Sequence, residues 1–483
     1  MKSDNIIVVG GGTAGLVSAL ILKTRFPLKK VKIIESANVG IVGVGESSTE
    51  HWKDFCEFVG IPLLDVVLKA KATFKYGVYF EGWGNDDFIH SLAPAYEDKI
   101  GNYYPVFAHI ISNHLHPNRM HPQRWMENKV SLDAFNNYNN SPTYQFQFDT
   151  HALNEYLHQV CRERNIKIVY DDLIGIKYHR NKNIALVSSN SIEYYADFFI
   201  DCSGFKRFLT QDIPWISYSE YLPLNSAIAF STEKMGEYNT YTKSTARKFG
   251  WSWTIPTQTR TGNGYVFCDR FVEEDRVYEE MEEAYGGKLN GVKSFKFDPG
   301  RLKTAWNKNC YAVGLSQSFV EPLEATSIGS VIQQMFCFIH YLPSYDINTC
   351  NKKVNEIFDN IFDFVQSHYL VKREDTIFWK EIKYNLKLTD NLQNYLELWK
   401  NRLPHSIDSN CDWSLFSPAN YIPILYGLGW FNIDKIREEY VEYNIEKQIE
   451  EHLRGCVEDE SSLIWVKHKE MIDILCATQQ SGY

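Results

Sequence analysis

Three glycines and an acid near the start of the chain form a pattern that can hold a nucleotide. Gly10, Gly12 and Gly15 stand at G-x-G-x-x-G spacing with Thr13 and Ala14 between the last two, and Glu35 follows twenty residues after Gly15. Glycines let a backbone approach a pyrophosphate, helix N-terminal amides bind its charge, and a carboxylate at that distance binds ribose hydroxyls. A second pair asks for a different chemistry. In "GWSWTIP", residues 250–256, Trp251 and Trp253 stand two apart before Pro256. In an extended segment they share one face, and two such bulky side chains make a wide, rigid wall. A pair of core tryptophans is the plainer reading of the same residues.

The elements around the glycines have the required order. "NIIVV" is a β-branched run that fits a buried strand, "LVSALILK" has the apolar stripe of a helix, and "VKIIE" is a second buried strand ending at Glu35. This is a complete βαβ unit. An acid at that strand end, where a basic residue would accept a 2′-phosphate, disfavours a phosphorylated ribose. The motif alone does not separate FAD from NAD. No second G-x-G-x-x-G occurs, so one nucleotide site is expected and no separate place for a nicotinamide donor.

With 483 residues the chain exceeds one ordinary core. It is 44% hydrophobic and 23% charged, a globular balance, and its 15% aromatic content suits aromatic-walled cavities as well as aromatic cores. A formal charge of −10 argues against a nucleic-acid partner. Ten cysteines without a CxxC pair read as reduced thiols. The opening "IIVV" is too short for a signal or membrane segment, and no later apolar run would span a bilayer, so a soluble, cytoplasmic protein without membrane partners is expected. His114, His116 and His121 lack a cysteine or carboxylate to complete a metal set and read as a polar loop, so no metal site is expected.

Further stretches carry resemblances. "YYADFFIDCSGF" at 194–205, a strand closed by Asp201 and Gly204, is similar to the late strand of glutathione-reductase-like FAD monooxygenases, and "GVGESST" at 43–49, with Gly45 and Glu46, resembles a loop near the flavin in that class. FAD is therefore the expected cofactor. "GWSWTIP" resembles the WxWxIP signature of the flavin-dependent halogenases, especially the tryptophan halogenase group. "VVGGGTAG", "GVGESS", "FQFDTHALNEYL", "DCSGF" and "GRLKTAWNKNCYAVGLSQSFVEPLEATSIG" follow the family's order.

The resemblance implies an α/β, glutathione-reductase-like FAD-binding fold with a Rossmann βαβ unit, an inserted substrate-binding sheet region and a helical C-terminal region. The boundaries read as a discontinuous FAD module over 1–345, with insertions around 50–145 and 205–295, and a helical covering region over 346–483. Reduced FAD, oxygen and a halide (chloride, bromide or iodide) would yield hypohalous acid, which would reach a small electron-rich arene at a second site. Trp251 and Trp253 would wall the arene off from the flavin. Lys75, in "ATFKYGVYF", matches the family lysine that holds or activates the oxidant, with Lys71 the nearest alternative. A desolvated lysine with a lowered pKa suits that role. Glu324 matches the family's glutamate, able to polarise the oxidant or accept the arene's proton. Read without the family, it is an acid at a helix start. Thr326 and Ser327 match the residues whose backbone amides bind halide, with Ser327 replacing the usual glycine. His90 matches a substrate-loop histidine, although Leu92 stands where an aromatic is usual. The resemblance also implies a separate flavin reductase as partner, and homodimers are common among relatives. An FAD-dependent aromatic hydroxylase and a catalytically inactive flavin-binding protein are the competing readings.

Overall fold

The computed structural model describes residues 4–40, 46–91, 103–120, 123–132, 144–178, 184–409, 413–444 and 446–480. Gly45, Leu92 and His121 lie outside the described residues.

The expected βαβ unit is the centre of a six-stranded sheet. Strand Asn5–Val9 pairs in parallel with Lys30–Glu35 on one side and Phe198–Asp201 on the other. Lys167–Tyr170 and Cys310–Ala312 extend it in parallel, and Trp306–Asn307 closes one edge antiparallel. Parallel strands are buried on both faces, which is why these segments read as continuous apolar runs. Helix Thr13–Arg25 covers the sheet and packs against Thr150–Glu163 and Thr326–Tyr341. Ile6, Val8, Ile33, Phe198, Ile200 and Leu20 are fully buried between these layers.

A seven-stranded sheet forms the second layer. Its order is Lys293–Lys296, Ser226–Thr232, Thr261–Phe267, Gly250–Pro256, Tyr241–Arg247, Gly77–Glu81, Phe88–Ser91. The two stretches separated by the Rossmann elements therefore meet in one sheet, joined by the parallel pairing of Tyr241–Arg247 with Gly77–Glu81. A small antiparallel sheet places Thr73–Lys75 beside Gln145–Phe148, with Glu46–Ser47 on the other edge of that strand.

Beyond Ile347 the chain is mostly helical, beginning with the 21-residue helix Ile347–Ser367. One departure from a purely helical end matters for the site. Trp465–Lys467 is a strand paired with Lys129–Ser131, and it delivers His468 to the interior. The His468 ring accepts from the Phe74 backbone N–H at 2.8 Å through Nε2 and donates to the Tyr238 carbonyl at 3.1 Å through Nδ1. Burial holds this imidazole down at about 4, which keeps it neutral in both bonds. Among the described residues no helix is long and apolar enough to cross a membrane.

Candidate functional site

The nucleotide end is built by close backbone approach. Gly10 has φ +109°, and a Cβ there would lie 2.3 Å from the Cys202 carbonyl oxygen. A Cβ on Gly15 would lie 1.9 Å from the Gly10 carbonyl oxygen, so helix and turn touch without side chains between them. Gly12, the N-cap of helix Thr13–Arg25, has open space where its Cβ would be, and no side chain caps that helix. Exposed amides at an uncapped helix start suit a pyrophosphate. Glu35 lies beside Gly11, and among the described residues its buried Oε2 makes no hydrogen bond, although His158 Nε2 is 3.3 Å away. An acceptor held ready beside the glycine turn fits ribose hydroxyls. The residues present therefore fit FAD.

Asp201 has a different part from the one expected. Oδ1 accepts from the Ser203 amide and hydroxyl and from Ser316; Oδ2 accepts from the Leu209 amide and Thr210. Five donors of the chain itself saturate a fully buried carboxylate, so Asp201 organises the loop after its strand and leaves no lone pair aimed at a cofactor. Gly204, in that loop at φ +69°, accepts from Ser316 through its carbonyl.

A partly enclosed cavity of about 200 Å³ lies between the second layer and the turn that leads into helix Thr326–Tyr341. Glu46, Lys75, Trp251, Trp253, Glu324, Thr326 and Ser327 all line it. Thr13 ties the glycine loop to this cavity: its hydroxyl donates to Glu46 Oε2 at 3.4 Å and accepts from Asn154. Burial raises Glu46 to about 7, with Thr13 opposing.

Trp251 and Trp253 project to one side of strand Gly250–Pro256, their ring centroids 6.1 Å apart, and Pro256 ends the strand. The neighbouring strand makes room: a Cβ on Gly264, directly opposite Trp253, would lie 2.1 Å from the Trp253 ring. Trp251 packs on Trp83 and donates through Nε1 to Glu321 at 3.2 Å. Tyr369 donates to the same Glu321 oxygen at 2.6 Å. Burial nevertheless pushes Glu321 up to about 8, the two donors only partly offsetting it.

Burial decides between the two candidate lysines. Lys71 is exposed at φ +52°, before the strand begins, whereas Lys75 is fully buried at the end of Thr73–Lys75. Among the described residues its hydrogen bond goes to the Ser48 carbonyl at 3.3 Å. Burial lowers Lys75 to about 8, opposed by the negative charges of Glu324 and Glu50.

Glu324 precedes its helix. It sits in a 3-10 turn, Leu323–Ala325, at φ +64°, followed by Ala325 at φ +56°, and the helix proper starts at Thr326. The helix-start reading is therefore corrected: no acid lies in that helix's first turn. Two consecutive left-handed residues cost roughly 1–3 kcal/mol each, which the surrounding contacts must offset. Glu324 Oε1 accepts from His90 Nδ1 at 2.8 Å and from His368 Nε2 at 3.1 Å. The other nitrogen of His368 faces the Phe364 carbonyl at 2.9 Å, so both ring nitrogens face oxygen acceptors. Burial alone would raise Glu324, but the two histidines win and hold it at about 2. His90, expected at the substrate, is fully buried, with Glu324 on one nitrogen and Asn420 Nδ2 at 3.3 Å from the other. The Thr326–Tyr341 helix has no side-chain cap; Thr326 is buried and Ser327 exposed at its start.

Sequence reasoning missed His368, Glu321, Tyr369, His158 and His468. Glu321 lies inside the stretch that carries Glu324, where its own role leaves no local mark; the others come from segments whose local sequence carries only helical or loop signals. Among the described residues no group of histidine, cysteine and acidic side chains could hold a metal ion, and His116 Nδ1 accepts from the Asn118 amide.

The family profile described as tryptophan halogenase matches residues 5–436. Tryptophan 6-halogenase SttH of Streptomyces toxytricini is 28% identical over 88% of this chain and 89% of its own. Tryptophan 7-halogenase RebH of Lentzea aerocolonigenes is 28% identical over 89% of this chain and 90% of its own. Among solved structures, SttH superposes with a TM-score of 0.84 at 27% identity, covering 97% of this chain and 99% of its own. A tryptophan halogenase from Shewanella frigidimarina reaches 0.88 at 21% identity over 99% and 98%, a likeness of fold.

Proposed function

The chain belongs to the tryptophan halogenase family and is a flavin-dependent halogenase, and from that premise we propose that it halogenates a small electron-rich arene of the indole or phenol type with hypohalous acid held at Lys75 and Glu324. The observation that carries this reading is one cavity shared by a buried lysine, an ionised buried glutamate and a tryptophan wall.

Gly10, Gly12, Gly15 and Glu35 would hold FAD at the glycine turn. When bound, reduced FAD together with oxygen supplies the oxidising equivalents that turn halide into hypohalous acid. The amides of Thr326 and Ser327, at an uncapped helix start, would bind the halide, since fixed N–H dipoles neutralise an anion without a counter-charge to desolvate. Trp251 and Trp253 would keep the arene from the flavin side while a single halide passes. Lys75 would donate a hydrogen bond to the oxidant's oxygen or, as the free amine, take up the halogen; a lysine at about 8 can exist in both forms near neutral pH. Glu324 would accept the proton that the arene loses on regaining aromaticity, its charge fixed by His368 and His90. A separate flavin reductase would deliver the reduced cofactor.

The test supplies the protein with FAD, a flavin reductase, NADH and a pool of indoles and phenols, with chloride, bromide and iodide in turn and catalase present. Mass spectrometry reports the products. Halogenated arene that requires this protein, and that falls at least about a hundredfold in Lys75→Ala while FAD binding persists, is the expected result. Oxygenated products independent of halide would overturn the reading.

A further inference from the structure

Gln145 and Gln147 stand two apart on strand Gln145–Phe148 and so point to the same face. Both are fully buried. Gln147 is tied down: its Oε1 accepts from Thr242, and its Nε2 donates to the carbonyls of Phe74 and Asn239. Gln145 is not. Among the described residues neither its Oε1 nor its Nε2 has a hydrogen-bond partner. Leaving a buried donor and acceptor unpaired is costly, and a glutamine retained only for structure is expected to look like Gln147.

The position of the unpaired amide gives it meaning. Gln145 is directly opposite Lys75 in the antiparallel pair, which puts the two side chains side by side on one face, their Cβ atoms about 5 Å apart. Among the described residues Lys75 donates one bond, to the Ser48 carbonyl, and an ammonium has further donors to give. Together they offer donors and one acceptor within a single buried patch at the end of the strand.

We propose that Gln145 is the second arm of the lysine site and grips the oxidant beside Lys75. The group it suits is small and neutral and carries an O–H and an oxygen lone pair together: hypohalous acid. Its O–H would donate to Gln145 Oε1, and its oxygen would accept from Gln145 Nε2 or from Lys75. This rests on the halogenation reading above. The amide holds the oxidant against escape, while Lys75 and Glu324 carry the chemistry.

Gln145→Met keeps the length of the side chain without its polarity, and Gln145→Leu is the second variant. Each full-length, FAD-loaded protein is assayed for its melting temperature, its KM for the arene, and the division of halogen between the arene and a soluble β-diketone trap. The expected result is a melting temperature equal to or above wild type, an arene product at least tenfold lower, an unchanged KM within twofold, and trap halogenation that rises. A melting temperature lower by several degrees in both variants, with arene and trap products falling together, would make Gln145 structural. A raised KM without leakage to the trap would make it a ligand of the arene and overturn the proposal. No change in any readout would leave the amide a partner of water alone, which also overturns it. Absence of halogenated product from the wild type, in arene and trap alike, would instead overturn the halogenation reading.

Discussion

Two glutamates three residues apart, both buried, are held in opposite states. Glu324 lies between two histidines and is held ionised at about 2, whereas Glu321 lies between an indole and a phenol and is pushed up to about 8. Burial acts on both in the same direction, so the neighbours decide. His90 and then His368 lower Glu324 by charge and hydrogen bonding; Trp251 and Tyr369 supply only dipoles to Glu321. One short stretch thus builds a charged side of the cavity, where a proton can be accepted, and behind the tryptophan wall a neutral acid that braces it.

Breaking the charged side should have the largest effect. Glu324→Gln removes the buried carboxylate on which His90 and His368 converge, a loss of about 3–5 kcal/mol. Product formation should fall by one to two orders of magnitude, and the melting temperature should drop, while FAD affinity measured by fluorescence titration stays within twofold. Equal loss of FAD affinity and turnover would make Glu324 structural.

His368→Asn should come next. The asparagine keeps a donor for Glu324 without the charge, so the carboxyl should titrate higher and turnover at pH 7 should fall about tenfold, with partial recovery at higher pH. A flat pH response would mean that His368 contributes no charge.

Lys75 gives a finer test. Its negative neighbours raise a pKa that burial has lowered to about 8, so the pH–rate profile should bend near 8 and the bend should move to lower pH in Glu324→Gln. An unmoved inflection would separate the two groups.

Glu321→Gln should change least. A protonated carboxyl and an amide are nearly isosteric, so turnover near neutral pH should stay within about twofold. Its signature is in stability. A carboxyl whose folded pKa is raised from 4.5 to about 8 lets the folded state keep a proton that the unfolded state releases, so its contribution is full below about 4.5 and declines as pH rises toward 8. Glu324 has the opposite sign: its contribution is full above about 4.5 and is lost as pH falls toward 2. Melting temperatures across pH should therefore show Glu321→Gln flattening the alkaline limb and Glu324→Gln the acid limb. The same limb flattened in both would break the contrast.

The two ends of the cavity also differ in how far the sequence discloses them. The glycine turn and Glu35 were legible because the βαβ unit is contiguous: spacing, β-branched runs and the helix start all fall within residues 5–35. The extended form of the tryptophan segment followed from alternation. Lys75 and Glu324 were found through the resemblance, since an isolated lysine or acid carries no local signal. His368 and His90 act on Glu324 across 44 and 234 residues, and Gln145 reaches Lys75 only through strand pairing. Asp201 was placed correctly in its strand, but the five donors that saturate it come from loops whose folding no spacing rule predicts.

The bond from Phe74 to His468 joins residues 394 apart in the chain. During synthesis, the strand that carries Lys75 leaves the ribosome long before the imidazole that receives its neighbour's N–H. At roughly 5–20 residues per second, the interval is some tens of seconds. Through that interval the lysine strand lacks one of its anchors, and the strand that carries Lys75 is completed after the glycine turn of residues 10–15. A strand fastened this late lacks the His468 anchor in nascent and prematurely terminated chains.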